Sequence, residues 1–233
     1  MKAYCFFLIS FTLSISLYPQ STIPDKYKLV YSEDFESAEA INDFEMTDSN
    51  VWRISKGNHG NCLELFGKSK YKPQVRSPFN IALIKKVLVG DFIFEIKLNQ
   101  NGREYGHRDL CVMFGITNAA NFYYAHIATK ADAHANSIFI VNDAPRQSIA
   151  SKRTEGTNWG TVNDWHTVRV VRTVKDERIE IYFDDMNTPI MTATDSHFTS
   201  GYLGFGSFDD TGKFDDIKVW VPTLLKQRKG IFK

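Results

Sequence analysis

The sequence predicts an all-β protein, an antiparallel two-sheet sandwich, and three observations carry that prediction. Apolar residues recur with period two along most of the chain. Gly, Asn and Asp turn residues separate the strand candidates, and only Ser37 to Phe44 has a helical look, over a short span. One segment, WHTVRVVRTV followed by ERIEIYF, reads as a β-hairpin with one face in a core.

In chain order, the N-terminus comes first. Lys2 gives a short positive region, and Cys5 to Leu17 (CFFLISFTLSISL) is an apolar run too short to span a bilayer. This is the pattern of a signal peptide over residues 1–20, with cleavage near Pro19 to Ser21, and it predicts a secreted or periplasmic protein that has no membrane partner after cleavage. Residues 21–233 then form a single domain. A chain of that length buries on the order of 70% of its unfolded surface around one core.

The strand candidates follow. Lys28 to Phe35 opens the domain, and Cys62 to Phe66 is short and apolar. In DFIFEIKLNQ, Phe92, Phe94, Ile96 and Leu98 alternate with Ile93, Glu95, Lys97 and Asn99, the signature of a half-buried strand. Leu110 to Ile116, Phe122 to Ala128 and Ser137 to Asn142 come next. Val168 and Val170 alternate with Arg169, Lys175 to Arg178 turns the chain, and Ile179, Ile181 and Phe183 alternate with Glu180 and Tyr182. Tyr202 to Phe208 and Phe214 to Val221 close the series, and the basic LLKQRKGIFK tail reads as a frayed end.

Charge and cysteine content narrow the partners. Lys and Arg number 28 against 27 Asp and Glu, so no net field argues for nucleic acid. After cleavage Cys62 and Cys111 remain, each between apolar neighbours, and two buried free thiols are favoured over a disulfide. Neither C-x-x-C nor H-x-x-x-H occurs, which argues against a structural zinc site.

The segments VYSEDFES, WHTVRVVRTVKDERIEIYFDD and GYLGFGSFDDTGKFDDIKVW resemble those of concanavalin A-like, laminin-G-like jelly rolls of secreted carbohydrate-active proteins. The resemblance covers most of the mature chain and implies the fold. It is weak for activity, because this sandwich carries lectins, binding modules, glycosidases and polysaccharide lyases alike. It also implies a structural calcium between the first and last strands, with Glu33, Asp34, Asp215 and Asp216 as oxygen ligands and solvated acidic turns as the alternative. No cofactor is expected for catalysis.

The chemistry concentrates between Tyr105 and Arg146. A retaining glycosidase of this fold carries an E-x-D-x-x-E strand, which places two carboxylates about 5 Å apart, and this sequence has none. The residues present suit β-elimination from a uronate, where a cationic or amide clamp neutralises the carboxylate while His or Tyr moves the protons. Tyr124 and His126 stand two apart in NFYYAHIA and share a strand face. With His107 they are the catalytic candidates, and Arg108, Asn142 and Arg146 are the carboxylate clamp. Trp159 is a candidate stacking platform for sugar, or else a cap on the core. This equipment resembles that of jelly-roll polysaccharide lyases in residue type, but their R-x-E-x-R and Q-I-H motifs are absent. His134 and Arg76 are weaker candidates, read as loop and surface residues. The expected function is therefore an exported carbon-oxygen lyase acting on uronate-containing polysaccharide or oligosaccharides, by glycosidic cleavage or by dehydration of a terminal uronate. A non-catalytic glycan-binding module is the alternative, and a glycoside hydrolase with loop-borne carboxylates ranks third.

Overall fold

The computed structural model describes residues 23–225 and Ile231. The segment read as a signal peptide lies outside the described residues. Among those described, no helix is long and apolar enough to cross a membrane.

Among the described residues sixteen strands run in chain order, beginning with β1 (Lys28–Glu33), β2 (Phe44–Met46), β3 (Trp52–Lys56), β4 (Asn61–Leu65), β5 (Asn80–Val89), β6 (Phe92–Asn99), β7 (Asp109–Asn118) and β8 (Asn121–Ala128). They continue as β9 (Ser137–Asn142), β10 (Gln147–Ser148), β11 (Ala150–Arg153), β12 (His166–Thr173), β13 (Arg178–Phe183), β14 (Met191–Thr194), β15 (Gly201–Ser207) and β16 (Gly212–Val221). The predicted short helical segment is a 3-10 helix, Ala38–Asp43, capped by the Ser37 hydroxyl, which accepts the Glu39 N–H.

All pairings are antiparallel and build two sheets. One sheet has the order β11-β14-β13-β12-β6-β16-β4-β3, with β1 also on β16; the other has the order β10-β9-β8-β7-β15-β5-β2. The jelly-roll sandwich predicted from the sequence is therefore the fold.

Period two explains the core. Phe92, Phe94, Ile96, Leu98, Val168, Val170, Ile179 and Ile181 point from the nine-stranded sheet onto Val112, Phe114, Tyr123, Ala125, Leu203 and Phe205 of the seven-stranded one. Each large side chain removed from water there contributes about 1.5–3 kcal/mol. Gly201 lets β15 pass close to β7, since a Cβ there would meet the Gly115 carbonyl carbon at 2.2 Å.

The seven-stranded sheet is apolar on its outer face as well. Met113, Phe122, Tyr124, Phe139, Tyr202 and Phe208 form a second buried cluster, against which Val75, Phe79 and Leu225 pack. This face bears the candidate site. Cys62 and Cys111 are both buried free thiols, one in each sheet, as the sequence favoured.

Candidate functional site

The antiparallel register of β7 and β8 sets His126 opposite Cys111, and Ala128 opposite Asp109. Side chains 109, 111 and 126 consequently share the outer face. His126 Nε2 contacts Asp109 Oδ2, with both side chains buried. A carboxylate acceptor there holds a proton on Nε2 and leaves Nδ1 as the basic nitrogen, and Nδ1 has no hydrogen-bond partner.

Asp109 is anchored in turn. Its backbone N–H donates to Asp210 Oδ2 at 2.8 Å, and the Cys111 thiol donates to its Oδ2 at 3.7 Å. The Tyr105 hydroxyl donates to the Asp210 carboxylate at 3.0 Å. Burial, with the charge of Asp210 behind it, pushes the Tyr105 hydroxyl up and keeps it protonated at neutral pH. Burial likewise pushes Asp210 up to about 6.

Asp109 and His126 lie on the floor of a cleft of about 400 Å³, whose walls carry Lys68, Arg76, Arg103, Arg146, Tyr105 and Phe208. Arg146 is the central cation. Its guanidinium stacks 4.5 Å from the Phe208 ring centroid and donates from Nη2 to the His134 carbonyl at 3.3 Å, while Nε and Nη1 find no partner. The Arg146 backbone N–H donates to the Arg76 carbonyl at 3.2 Å, which brings a second guanidinium alongside. Arg103 covers the Tyr105 ring at 4.7 Å, and Lys68 pairs with Asp209 at 3.6 Å. Four cations thus face two carboxylates, Asp109 and Asp209, so the cleft suits an anion.

His107 also lines the cleft, exposed and bonded through Nε2 to Asp132 Oδ2 at 2.5 Å. The His134 N–H donates to Asp132 Oδ1 at 2.6 Å. Burial alone would raise the Asp132 carboxyl, but these two contacts outweigh it and hold the carboxyl below its ordinary value.

The structure brings together His126, His107 and Arg146 of the predicted set and separates the rest. Tyr124 does share a face with His126, but it is 0% exposed, stacked on Phe139 at 5.2 Å, and is not part of the cleft wall. Its hydroxyl is buried without a partner. Arg108 is 3% exposed and points away from the cleft. Its guanidinium donates to Gln100 Oε1 and the Gln100 carbonyl, each at 2.5 Å, and to the Gly160 carbonyl at 3.0 Å. It pins two loops, because Asp109 takes the outward direction and its neighbour must face the other way.

Asn142 sits at the far end of β9, opposite Asn121, whereas the cleft lies at the Ser137 end opposite His126. It shares the parity of core-facing Ile138 and Ile140. Trp159 is buried in the main core, edge-on to Phe183 at 5.2 Å, so of its two sequence readings the cap on the core holds.

Sequence reasoning missed Tyr105, Asp109 and Asp210 and gave Arg76 and His134 too little weight. The one signal available was parity: once His126 is placed outward, its cross-strand partner Cys111 and then Asp109 follow. The contributions of residues 68–79 and 208–210 depend on how loops fold over the sheet, which no period reports.

The acidic residues proposed for calcium separate in part. Asp34, Glu36, Asn58, Asp215 and Asp216, together with Lys97 and Thr167, line a second cleft of about 410 Å³ over β16, β6 and β12 of the nine-stranded sheet. Burial pushes Asp215 up to about 6. Glu33 is not part of the lining, and its Oε1 accepts the Phe35 N–H at 2.8 Å. Asp216 is paired with Lys97 at 2.5 Å. No three of these carboxylates bring their oxygens within 4.8 Å of one another, and the Lys97 ammonium shares the lining.

No protein-family model and no curated protein matches the sequence. Solved structures do match in fold. The carbohydrate-binding module CBM66 from Bacillus subtilis aligns with a TM-score of 0.53 at 19% identity, over 77% of this chain and 96% of that one. Winged bean acidic lectin, complexed with methyl-α-D-galactose, aligns with a TM-score of 0.55 at 12% identity, over 84% and 99%. The GH43 protein BlXynB from Bacillus licheniformis aligns with a TM-score of 0.54 at 10% identity, over 81% of this chain but 38% of that larger one. The chain shares with these proteins a two-sheet, concanavalin A-like jelly roll.

Proposed function

We propose that the cleft over β7 and β8 binds a uronate unit of an acidic glycan and acts on it by β-elimination. In this reading Arg146, with Arg76 beside it, takes the carboxylate and offsets the charge it gains as the C5 proton leaves. His126 removes that proton through Nδ1, with Asp109 stabilising the imidazolium that forms. The C5–H electron pair becomes the C4=C5 double bond as the C4–O bond breaks, and Tyr105, kept protonated, gives its proton to the departing oxygen. That oxygen leaves as a sugar hydroxyl when a glycosidic bond is cut, or as water when a terminal uronate is dehydrated.

One observation carries the reading: a His–Asp pair whose Nδ1 is buried without a partner lines the same cleft as a guanidinium with two buried, partnerless nitrogens. Hydrolysis by paired carboxylates has less support, because Asp109 is committed to His126 and Asp209 to Lys68. A second reading, glycan binding without chemistry, is favoured by the binding-module and lectin relatives in fold and by Phe79 and Phe208 in the wall. Both readings go with export directed by residues 1–20.

Incubation with uronate oligosaccharides in heavy-oxygen water separates the readings. Elimination gives an unsaturated uronate with no solvent oxygen, hydrolysis gives labelled product, and binding gives none. Labelled, saturated product would overturn the proposal.

A further inference from the structure

Among the described residues, one group of three or more His, Cys, Asp or Glu side chains has all its donor atoms within 4.8 Å of one another: Asp109, Cys111 and His126. We propose that this trio is a binding site for a thiophilic divalent cation, zinc in the first instance, at the floor of the cleft. This goes beyond the elimination reading, in which Cys111 has no part.

The geometry is built into the sheet. Cys111 and His126 are cross-strand partners, and Asp109 lies two residues before Cys111 on the same face, so a carboxylate, a thiol and an imidazole converge without any loop. All three are buried, and Asp109 Oδ1 and His126 Nδ1 both lack partners. Two orphaned polar atoms in one buried cluster are what a missing ligand leaves behind. The donor set is oxygen, sulfur and nitrogen, which suits zinc and excludes calcium or magnesium as preferred occupants. Three protein ligands leave a fourth position, and because Asp109 and His126 line the cleft, that position faces it. A carboxylate and a thiolate supply two negative charges, so a divalent ion makes the buried cluster neutral. On binding, the Cys111 S–H proton is released to solvent, while His126 coordinates as neutral imidazole and keeps its one ring proton. A seated ion also occupies His126, so metal binding and use of His126 as a base exclude each other.

The test needs no glycan. The full protein, stripped with chelator, is dialysed against zinc and then against metal-free buffer, its metal content is measured, and the titration is repeated with cobalt(II). The proposal expects one equivalent bound and a sulfur-to-cobalt charge-transfer band in the near ultraviolet. Cys111→Ser should abolish that band and weaken zinc binding by more than the roughly 10–100-fold that loss of an outer partner costs. If Cys111→Ser does not fold, Cys62→Ser decides, since it leaves Cys111 as the free thiol among the described residues: the thiolate band should persist there, and its absence overturns the proposal. Failure to retain metal, a cobalt spectrum without the thiolate band, or a band unchanged in Cys111→Ser overturns the proposal. Exposed His107 and His134 would bind cobalt without sulfur character, so they are distinguished. Elimination is assayed separately in chelator-stripped protein, so either proposal can fail while the other stands.

Discussion

Two arginines proposed from the sequence as one clamp are predicted to behave in opposite ways when replaced. Arg108 makes three hydrogen bonds from a buried guanidinium, all to groups of Gln100 and Gly160. Arg108→Gln strands those acceptors, a loss of about 3–5 kcal/mol. With an m value of about 2 kcal/mol/M, the urea midpoint falls by roughly 1.5–2.5 M. Arg146 makes one side-chain hydrogen bond, to the His134 carbonyl, and lies over Phe208. Arg146→Gln therefore costs about 1–2 kcal/mol of stability. It also removes the proposed charge-assisted contact to a ligand carboxylate, worth about 1.5–3 kcal/mol, or roughly 10–150-fold in affinity. Urea denaturation followed by tryptophan fluorescence, and calorimetry with a uronate oligosaccharide at a temperature where both variants are folded, read the two effects separately. A folded Arg108→Gln protein that loses affinity with its midpoint unchanged would refute the assignment. So would an Arg146→Gln protein that loses stability but keeps its affinity.

Further expectations concern the cleft, the acidic cleft around Asp215 and the β12–β13 hairpin. Tyr124→Phe should leave turnover unchanged, because the Tyr124 hydroxyl is buried without a partner and is not part of the cleft wall, whereas Tyr105→Phe should lower kcat; steady-state kinetics checks both. Asp215 has a folded pKa raised to about 6, so the folded state holds its proton more tightly than the unfolded state and stability falls as pH rises from about 4 to 6. Asp215→Asn should therefore gain in Tm over wild type above pH 6, the gain vanishing at low pH. At His166 burial pulls the pKa down, but the hydrogen bond and charge of Asp184, 2.7 Å from Nδ1, outweigh it and raise it. The stability from that pair is full below the ordinary histidine value and lost as pH rises through the raised one, so Asp184→Asn should cost more Tm in mildly acidic than in alkaline buffer. Gly201→Ala forces a Cβ against the β7 backbone and should cost about 1–3 kcal/mol in urea denaturation.

Alternation made most of the fold legible. The sequence bounds match β9 to the residue and β6, β8, β12, β13 and β16 to within two at each end: β6, β12 and β13 alternate polar with core-facing residues, whereas β8 and β9, buried on both faces, stand out as short apolar runs between turn residues. β5 was missed although it has ten residues, since Ile81 and Leu83 face outward, Ala82 and Ile84 face inward, and a bulge around exposed Lys85 and Lys86 breaks the parity. Both faces of that strand are buried, so no alternation marks it. The site was legible only where it sits on strand. His126 followed from its position, but Tyr124, equally outward by parity, is covered by Phe139 and Phe208, and parity cannot say which outward residues a loop will cover. Arg108 failed as a clamp because adjacent residues on a strand cannot both face the cleft, and Asp109 holds that direction. The cations Lys68, Arg76 and Arg103 come from segments without period, and only the folded chain brings them to His126.

In the proposed elimination, His126 and Arg146 act together on a sugar that carries a uronate carboxylate. Its most direct test follows the ultraviolet absorbance of unsaturated uronate when chelator-stripped protein meets a uronate oligosaccharide, the same oligosaccharide with its carboxyl groups reduced, and His126→Ala. Product is expected from the first alone. Binding of the uronate by calorimetry without any unsaturated product from the wild-type protein would contradict it and leave a glycan-binding module in its place.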